Sequence, residues 1–212
     1  MLTIHHLGRS QSERILWLCE ELGLPYDLRL YARDRVTMLA PPELQRLHSI
    51  GAAPVIEEDG VVLAESGAIV EYIIARHGGG RLAPAPRHPA FPAYLYWFHF
   101  ANGTLQPMMG RAMIIRRAGL PAGHPVATFV AARLQRAWSL VEARLGEAAW
   151  FAGDFTAADI MTVFSLTTMR FFMPMELAPY PNVRAYLQRV GEREAYRRAM
   201  AKGDPAIEPL LT

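Results

Sequence analysis

The sequence predicts an α/β domain at its N-terminal end, followed by an all-α domain. Three observations lead to this prediction: a strand-helix-strand pattern fills residues 1–31, a hairpin and a helix come next, and only helical periods occur beyond Pro92. A stretch rich in glycine and proline separates the two patterns. We therefore predict an α/β domain over residues 1–78, a linker over 79–91 and a helical domain over 92–212.

The first strand candidate covers residues 2–7 and leads into a turn that ends at Ser10. The segment after this turn repeats its apolar residues at helical spacing as far as Gly23, and residues 26–31 form a second strand candidate. Two strands joined through a helix pair in parallel, so we expect a parallel pair here. A weaker helical segment covers residues 42–48.

The rest of the α/β domain reads as a hairpin and a helix. Residues 54–57 and 61–64 are strand candidates, and the Asp59-Gly60 pair between them is a strong hairpin turn signal. A helix is expected from Ser66 to about residue 77, where three glycines end it.

The predicted helical domain follows the segment GGGRLAPAPRHPA. Its helical blocks are expected near 92–117, 125–146, 157–172, 182–190 and 192–201. Pro107 is expected to bend the first of these blocks. Thr156 and Asp159 have the spacing of a capping box, with Phe155 and Ile160 placed as its hydrophobic staple, and we assign this motif to folding.

Composition excludes several classes of protein. Of the 212 residues 51% are hydrophobic, which is ample for a packed core, and 22 basic against 20 acidic residues leave too little net charge to favour a nucleic-acid partner. Cys19 is the only cysteine and shares an apolar helix face, so we expect it to be buried and inert. The N-terminal stretch lacks the order of a signal peptide and no apolar stretch reaches membrane-spanning length, so a cytoplasmic protein that binds no membrane is expected.

Ser10 stands where the first strand gives way to the first helix. The four residues from Ser10 to Glu13 have the spacing of a capping box, and the local sequence favours a serine that closes the helix end. The alternative is a catalytic hydroxyl, because the start of a helix favours an anion through its N–H groups and its dipole. Ser12 is a lesser candidate for the same role. His5 and His6 are neighbours on a strand and point to opposite faces, which makes them a poor metal pair, and no metal is expected.

Glu65 and Ser66 precede the apolar face of the predicted third helix. Ser66 is a preferred residue type for an N-cap, whereas Glu65 has no such structural explanation. A carboxylate at Glu65 suits an ammonium group, and the Ser66 hydroxyl with the helix N–H groups suits a carboxylate. Together they suit the α-amino acid end of a ligand.

Pro54 stands at the start of a strand, where a residue without an N–H is permitted. A cis bond after Ala53 would leave the N–H and C=O of Val55 free to pair with an extended peptide, as an added edge strand does. We therefore predict that Pro54 and Val55 contact a peptide-like ligand whose end is held by Glu65 and Ser66.

These residues lie in segments that resemble the cytosolic glutathione transferases of the serine type, over nearly the whole chain. The matching segments are HHLGRSQSERILWLCEELGLPYDL, LAPPELQRLHSIGAAPVI, AESGAIVEYI and FTAADI. The resemblance implies a thioredoxin-like N-terminal domain that binds glutathione, a helical C-terminal domain and a homodimer. It also implies that Val55 bonds to the cysteinyl unit of glutathione, that Glu65 and Ser66 hold its γ-glutamyl end, and that Ser10 activates its thiol.

One position departs from the family pattern, which often has Gly-Lys-x-Pro before the third strand. This chain has Gly-Ala-Ala-Pro, so Ala52 cannot hold the glycyl carboxylate of glutathione, and Arg33, Arg35 or His48 would have to replace the lysine. The expected co-substrate is a hydrophobic electrophile bound against the second domain. Its candidate apolar pocket residues, each also explicable as core, are Tyr96, Met108, Met109, Arg111, Met113 and Phe171.

The leading hypothesis is therefore a transferase that adds the glutathione thiolate to hydrophobic electrophiles. Two alternatives stay open at this point. One is a glutathione-dependent peroxidase or isomerase that uses the same site. The other is a non-catalytic binding protein that keeps the fold, which the missing basic residue at Ala52 favours.

Overall fold

The computed structural model describes residues 1–121 and 123–212. The chain divides into two compact units: the first comprises Met1–Ala83 with Gly191–Pro209, and the second comprises Pro84–Val190 with Leu210–Thr212. This division differs from the predicted boundaries, which gave the whole of 92–212 to the helical domain. The difference arises because the last helix packs on the first helix of the chain, at a separation along the sequence that no local pattern reveals.

The first unit contains a four-stranded mixed sheet. Its strands are β1 (Thr3–Leu7), β2 (Asp27–Tyr31), β3 (Val55–Glu58) and β4 (Val61–Ala64), in the order β2-β1-β3-β4. The pairing of β1 with β2 is parallel, as predicted, and the pairings of β1 with β3 and of β3 with β4 are antiparallel.

This order corrects one expectation. We predicted that a ligand peptide would pair with an exposed edge at Val55, but β3 is an interior strand with a neighbour on each side. Val55 is paired with His5 on one side and with Ala64 on the other. The prediction failed because the hairpin signal identifies β3 and β4 as partners but does not reveal that β1 lies on the free side of β3.

The helices of the first unit are α1 (Glu13–Leu22), α2 (Pro42–Gln45), α3 (Ser66–His77) and α9 (Glu194–Gly203). Only the last two residues of α8 (Pro181–Glu192) belong to this unit. Helix α9 lies against α1. The ring of Tyr196 meets the edge of Trp17 with their centroids 5.0 Å apart, and Arg193 donates two hydrogen bonds of 2.7 Å to the carboxylate of Glu21. The C-terminal end of α9 is thereby held beside the strand-to-helix turn that carries Ser10.

The second unit is helical, as expected. Its helices are α4 (Phe91–Phe100), α5 (Gln106–Arg117), α6 (Pro125–Glu147), α7 (Ala157–Leu166) and most of α8. A π-helical turn, Ala101–Leu105, joins α4 to α5, so the predicted block 92–117 is interrupted just before Pro107. The predicted block 157–172 also divides, because α7 ends at Leu166 and a 3₁₀ turn, Thr168–Phe171, follows. Within the described residues, 1–121 and 123–212, no helix has the length and apolar character that crossing a membrane requires.

The predicted capping box at the start of α7 is confirmed. The Thr156 hydroxyl accepts a hydrogen bond from the N–H of Ala158, and the Asp159 carboxylate accepts one of 2.9 Å from the N–H of Thr156. Asp159 is fully buried and also accepts hydrogen bonds from the N–H of Phe151 and the hydroxyl of Tyr186. This carboxylate therefore joins α7, the segment before it and α8.

Candidate functional site

The turn between β1 and α1 is held from two directions. The Asp204 carboxylate, just after α9, accepts the N–H of Arg9 with both of its oxygens at 3.1 Å. The Arg33 guanidinium donates to the carbonyl oxygens of Gly8 and Arg9, each at 3.0 Å. Arg9 has a φ of 52°, in the left-handed region that non-glycine residues adopt only at a cost. These contacts fix the backbone from which Ser10 projects.

The structure places the start of helix α1 later than the capping interpretation of Ser10 implied. The helix begins at Glu13, its N-cap residue is Ser12, and the Ser12 side chain makes no capping hydrogen bond. The Ser10 hydroxyl instead accepts the N–H of Ser12 at 3.2 Å and lies 2.6 Å from the Ser12 hydroxyl. Ser10 retains 6% of its accessible surface, whereas Ser12 retains none. Of the two serines, Ser10 is therefore the one that a ligand can reach.

Ser66 is joined to the start of α1 by a buried polar cluster. The Arg14 guanidinium donates to the Ser66 hydroxyl at 3.0 Å and to the Gln11 side-chain oxygen at 2.7 Å, and the Ser66 hydroxyl donates to that same oxygen at 3.1 Å. The Ser66 hydroxyl therefore donates to Gln11 in this structure, and its contact with a ligand carboxylate stays a prediction. Ser66 is also the first helical residue of α3 and not its N-cap.

Arg14 places a positive charge below this part of the surface. The side chain is 1% exposed, and burial lowers the pKa of its guanidinium to about 9, although the nearby Glu13 carboxylate acts in the opposite direction. The cation stays protonated at neutral pH. A positive charge in surroundings of low polarity attracts an anion more strongly than one in water does.

Glu65 is the N-cap residue of α3 and has unusual backbone geometry. Its φ is 71° and its ψ 114°, a conformation that costs a non-glycine residue about 1–3 kcal/mol. The side chain is exposed, and among residues 1–121 and 123–212 it has no hydrogen-bond or ion-pair partner. Such strain concentrates at binding and catalytic sites, where another requirement outweighs its cost.

Pro54 and Val55 lie beside these groups at the start of β3. The Ala53–Pro54 peptide bond is cis. Val55 is paired with Ala64, the residue before Glu65, so the beginning of β3 and the beginning of α3 are adjacent. Both Pro54 and Val55 are buried, whereas Ala53 is partly exposed. The reachable part of this segment is therefore the strand end and not its edge.

Of the three candidates to replace the missing basic residue at Ala52, the structure makes one unsuitable. Arg33 is committed to the turn before α1, where it donates to three carbonyl oxygens including that of Met38. Arg35 is exposed. His48 is partly buried, and its Nδ1 accepts the N–H of Ile50 at 3.2 Å. Its Nε2 is then the ring nitrogen that could contact the glycyl carboxylate.

The six predicted apolar pocket residues all belong to the second unit and do not form one group. Tyr96 and Met108 line the same cavity of about 590 Å³, together with residues of α4, α5 and α6. Met109 is fully buried, which favours a core role, whereas Arg111 and Phe171 are exposed. Met113 is partly exposed.

The expectation that Cys19 is buried is confirmed. Cys19 is completely buried, and burial raises the pKa of its thiol to about 12, with the Glu20 and Glu58 carboxylates adding to the effect. His5 and His6 point to different partners: His5 contacts Tyr31 and Glu57, and His6 contacts Ser12 and Asp204. In the described part of the chain, which omits only residue 122, no cluster of three or more metal-ligating residue types occurs.

Sequence reasoning missed the contacts of His6 and Asp204. The His6 Nδ1 lies 2.9 Å from the Ser12 hydroxyl, and its Nε2 lies 3.2 Å from an oxygen of Asp204. We considered His6 only as a metal ligand and rejected it. No local signal could have joined two residues that are 198 positions apart.

Comparison with known proteins shows the family to which this chain is related. Residues 9–76 match the model of the glutathione S-transferase N-terminal domain, and residues 116–189 match that of the C-terminal domain. Glutathione S-transferase 3 of Schizosaccharomyces pombe is 29% identical and aligns over 95% of this chain and 88% of its own.

Solved structures extend the similarity to three dimensions. A family member from Pseudomonas fluorescens with two bound glutathione molecules has a TM-score of 0.78 over 94% of this chain and 92% of its own, at 22% identity. A glutathione S-transferase from Actinobacillus pleuropneumoniae is 32% identical, with a TM-score of 0.86 over 96% of this chain and 93% of its own. With this level of identity along nearly the full length of both proteins, the chain belongs to the glutathione S-transferase family.

Proposed function

We propose that this glutathione transferase activates the thiol of bound glutathione with Ser10 and adds the resulting thiolate to hydrophobic electrophiles. One observation carries the proposal: Ser10 keeps some exposed surface at the start of α1 while Ser12 keeps none, and the next residue, Gln11, joins Ser10 to the Arg14 and Ser66 cluster at the start of α3. A thiol and a carboxylate of the same small ligand thus have suitable partners close together.

The energy that thiol activation requires is within reach of this site. A free thiol with a pKa of about 8.5 is mostly protonated at neutral pH, and the thiolate is the nucleophile. Lowering that pKa by two units requires about 2.7 kcal/mol of preference for the anion. A hydrogen bond to a charged group contributes about 1.5–3 kcal/mol, and a helix N-terminus about 0.3–1 kcal/mol.

The γ-glutamyl end of glutathione carries an ammonium group and a carboxylate, and we assign it to Glu65 and the start of α3. The exposed Glu65 carboxylate suits the ammonium group. The first turn of α3, which begins at Ser66, suits the carboxylate through its backbone N–H groups and dipole, and the buried Arg14 cation adds attraction. In this assignment the Ser66 hydroxyl also orients Arg14 and Gln11.

Replacing Glu65 with glutamine tests this assignment. Because the variant loses the negative charge that faces the ligand ammonium, we expect glutathione affinity to fall about tenfold or more, as for a lost hydrogen bond to a charged group. Turnover at saturating glutathione should change little. Calorimetric titration with glutathione gives the affinity, and initial rates give the turnover.

Glu71→Gln is the matched control, since Glu71 is also an exposed glutamate of the same helix, one turn and a half further on. Its affinity should equal that of the unmodified protein. Equal glutathione affinities for the Glu65 and Glu71 variants would show that Glu65 does not bind the ligand ammonium.

We place the cysteinyl unit of glutathione at the beginning of β3, where Ala53, Pro54 and Val55 lead into the sheet. The adjacency of Val55 to the residue before Glu65 supports this placement, because the cysteinyl and γ-glutamyl units are directly bonded in the ligand. For the glycyl carboxylate we propose Arg35 or His48, since Arg33 is used elsewhere. With Ala52 in place of a lysine, the glycyl carboxylate then has a different partner, while the binding site for the rest of glutathione is unchanged.

The kind of electrophile is a separate part of the proposal. A thiolate activated by a hydroxyl reacts with an aromatic halide by substitution, in which a carbon–sulfur bond forms and the halide leaves. It reacts with a hydroperoxide by attack on oxygen, which breaks the O–O bond and releases the alcohol, and both reactions use the same Ser10. We propose conjugation as the principal reaction. Parallel rates with an aromatic halide and an organic hydroperoxide test this choice, and a higher kcat/KM for the hydroperoxide would reverse it.

We also propose a homodimer in the cytoplasm. Support for the dimer comes from large apolar side chains that are exposed on the second unit, among them Tyr96 on α4 and Phe129 and Leu140 on α6. A cytoplasmic location suits a thiol co-substrate, because thiols are kept reduced there. Sedimentation equilibrium at micromolar concentration would give twice the chain mass of 23.7 kDa, and a mass of one chain would contradict the dimer.

A further inference from the structure

Four side chains of the first unit form a continuous hydrogen-bonded series that ends at Ser10. The Ser10 and Ser12 hydroxyl oxygens are 2.6 Å apart, and the Ser12 oxygen is 2.9 Å from Nδ1 of His6. On the other side of the ring, Nε2 of His6 is 3.2 Å from an oxygen of Asp204. His6 and Ser12 expose no surface, so a ligand at the start of α1 can meet this series only at Ser10.

The hydrogens of this series can be assigned from Asp204 onward. Burial alone would raise the pKa of Asp204, but hydrogen bonds from His6 and from the N–H of Arg9 outweigh it and hold the pKa below its usual value. Asp204 is therefore a carboxylate at neutral pH and can only accept. Nε2 of His6 must then carry a hydrogen, and in a neutral ring Nδ1 is left as an acceptor.

The same counting continues through the two serines. Ser12 gives its hydrogen to Nδ1 of His6, at 2.9 Å, in preference to the carbonyl oxygen of Leu7, at 3.5 Å. Ser10 then gives its hydrogen to Ser12, and its own oxygen already accepts the N–H of Ser12. With neutral His6, Ser10 has an acceptor site for an incoming thiol S–H but no hydrogen to donate to a thiolate.

We propose that His6, held by Asp204, accepts the glutathione thiol proton through Ser10 and Ser12. The S–H bond breaks and an O–H bond forms at Ser10, the former Ser10 proton passes to Ser12, and the former Ser12 proton forms an N–H bond at Nδ1 of His6. The products are a thiolate and an imidazolium ion. The inference rests on the proposed function, since it requires a glutathione thiol at Ser10.

One proton shift would then accomplish two tasks. It forms the thiolate, and it reverses every hydrogen bond in the series, so that His6 donates to Ser12, Ser12 to Ser10, and Ser10 to the sulfur anion. The imidazolium ion is stabilised by the Asp204 carboxylate, in the way that a buried aspartate stabilises a protonated histidine in serine hydrolases. Histidine is also the side chain that most often serves as a proton acceptor in catalysis.

The surroundings of His6 hold the ring in place. Gly203, the last residue of α9, packs so closely that a Cβ there would lie 3.0 Å from both Cε1 and Nε2 of His6 and 2.7 Å from Leu16. A side chain at position 203 would therefore have to displace the His6 ring or Leu16. The charged groups near this pair are Asp204 itself and Arg9 and Arg33, whose positive charges interact with the carboxylate.

Proton counting distinguishes this relay from a simple hydrogen bond between Ser10 and the sulfur. If His6 keeps the proton, glutathione binding near neutral pH forms the thiolate, seen by its ultraviolet absorbance, with almost no proton released to solvent. If Ser10 only stabilises the anion, one proton is released for each thiolate formed. Calorimetric titrations in two buffers of different ionisation enthalpy give the number released, and S-methylglutathione, which has no thiol, supplies the baseline.

His6→Asn is the test variant. We expect each remaining thiolate to appear with the release of one proton, the pH profile of kcat/KM to move to higher pH, and kcat/KM near neutral pH to fall about tenfold. The fall is below the ~10²–10⁴-fold typical of direct acid–base catalysis because the Ser10 hydroxyl remains. His5→Asn is the matched control: His5 is the adjacent residue of β1, is also buried, and contacts Tyr31 and Glu57 instead. It should keep the unmodified proton count.

Asp204→Asn is a second variant in case His6→Asn does not fold, because the amide oxygen can still accept the N–H of Arg9. Without the carboxylate the imidazolium ion loses its counter-charge, so the proton count should again rise toward one per thiolate. Release of one proton per thiolate by the unmodified protein would overturn the relay and leave the proposed function intact. Failure of the unmodified protein to bind glutathione would overturn both.

Discussion

Ser10→Ala should lower kcat/KM for conjugation by about one to two orders of magnitude near neutral pH. The variant loses the hydroxyl that faces the sulfur, and a hydrogen bond to a charged group is worth about 1.5–3 kcal/mol. The fold should remain, because the structural loss is limited to one acceptor for the N–H of Ser12 and the contact with its hydroxyl. Rates with an aromatic halide at several pH values provide the measurement.

The effect of Ser10→Ala should depend on pH in a defined direction. Because the thiolate is less stabilised in the variant, the pKa of the bound thiol rises, and a smaller fraction is ionised at any pH below that pKa. The deficit in rate should therefore be largest at low pH and shrink as the pH rises past the pKa of the thiol in the variant. Glutathione affinity should change less than the rate, since Glu65 and the start of α3 are untouched.

Ser139→Ala controls for the loss of a serine hydroxyl, since Ser139 is exposed on α6 in the second unit. Its pH–rate profile should match that of the unmodified protein. If Ser10→Ala also gave an unchanged profile, Ser10 would have no part in thiol activation. Ser12 would not replace it as the group that contacts the sulfur, because Ser12 exposes no surface.

The sequence was sufficient to predict the strands and most helices because each carries a local pattern. The Asp59-Gly60 turn signal between two short strand candidates predicted β3 and β4, and β4 has the predicted bounds. The break between α4 and α5 was not predicted. A π-helical turn keeps all its residues near helical geometry, so the apolar pattern passes through it without a stop signal.

Helix starts were less predictable than helix positions. Serines at 10 and 66 have the residue type of an N-cap, yet the N-cap residues are Ser12 and Glu65. Ser66 makes tertiary contacts with Arg14 and Gln11 instead of capping α3. Ser10 makes a local contact with Ser12, which is in turn joined to His6. At the start of α7 the capping hydrogen bonds join residues of the same turn, and the local motif predicted this geometry correctly.

The contact between Asp204 and His6 could not be predicted from sequence, because it depends on how distant segments pack together. Asp204 reaches His6 because α9 packs on α1, and the sequence between them includes the whole second unit. A glycine at 203 and an aspartate at 204 resemble an ordinary helix end in the sequence. Their role becomes visible only in the fold, where Gly203 packs closely against the His6 ring and Asp204 contacts it.

Asp159→Ala should reduce the free energy of unfolding by about 3–5 kcal/mol, a large part of the ~5–15 kcal/mol of an ordinary protein. The Asp159 carboxylate accepts four hydrogen bonds, from the N–H groups of Phe151 and Thr156 and from the hydroxyls of Thr156 and Tyr186. Alanine would leave these buried donors without an acceptor, at about 1–3 kcal/mol each before any relaxation. Denaturant unfolding followed by circular dichroism measures the loss.

Asp154→Ala is the matched control, because Asp154 is exposed in the same loop and its replacement should change stability by no more than about 0.5 kcal/mol. Asp159→Asn should fall between the two, since the amide keeps one oxygen acceptor but turns an N–H₂ toward the remaining donors. Equal stability of the Asp159→Ala and Asp154→Ala variants would mean that the capping box does not contribute to folding.

The loss caused by Asp159→Ala should also vary with pH. Burial raises the pKa of Asp159 to about 7, although the N–H groups of Thr156 and Phe151 act in the opposite direction. The unfolded chain has an aspartate pKa of about 3.9, so between about pH 4 and 7 the folded state binds the proton and the unfolded state does not. Stability from this group therefore declines as pH rises through that window and is constant above it. The difference between the unmodified protein and Asp159→Ala should be larger at pH 5 than at pH 8, and a difference independent of pH would show that Asp159 does not titrate there.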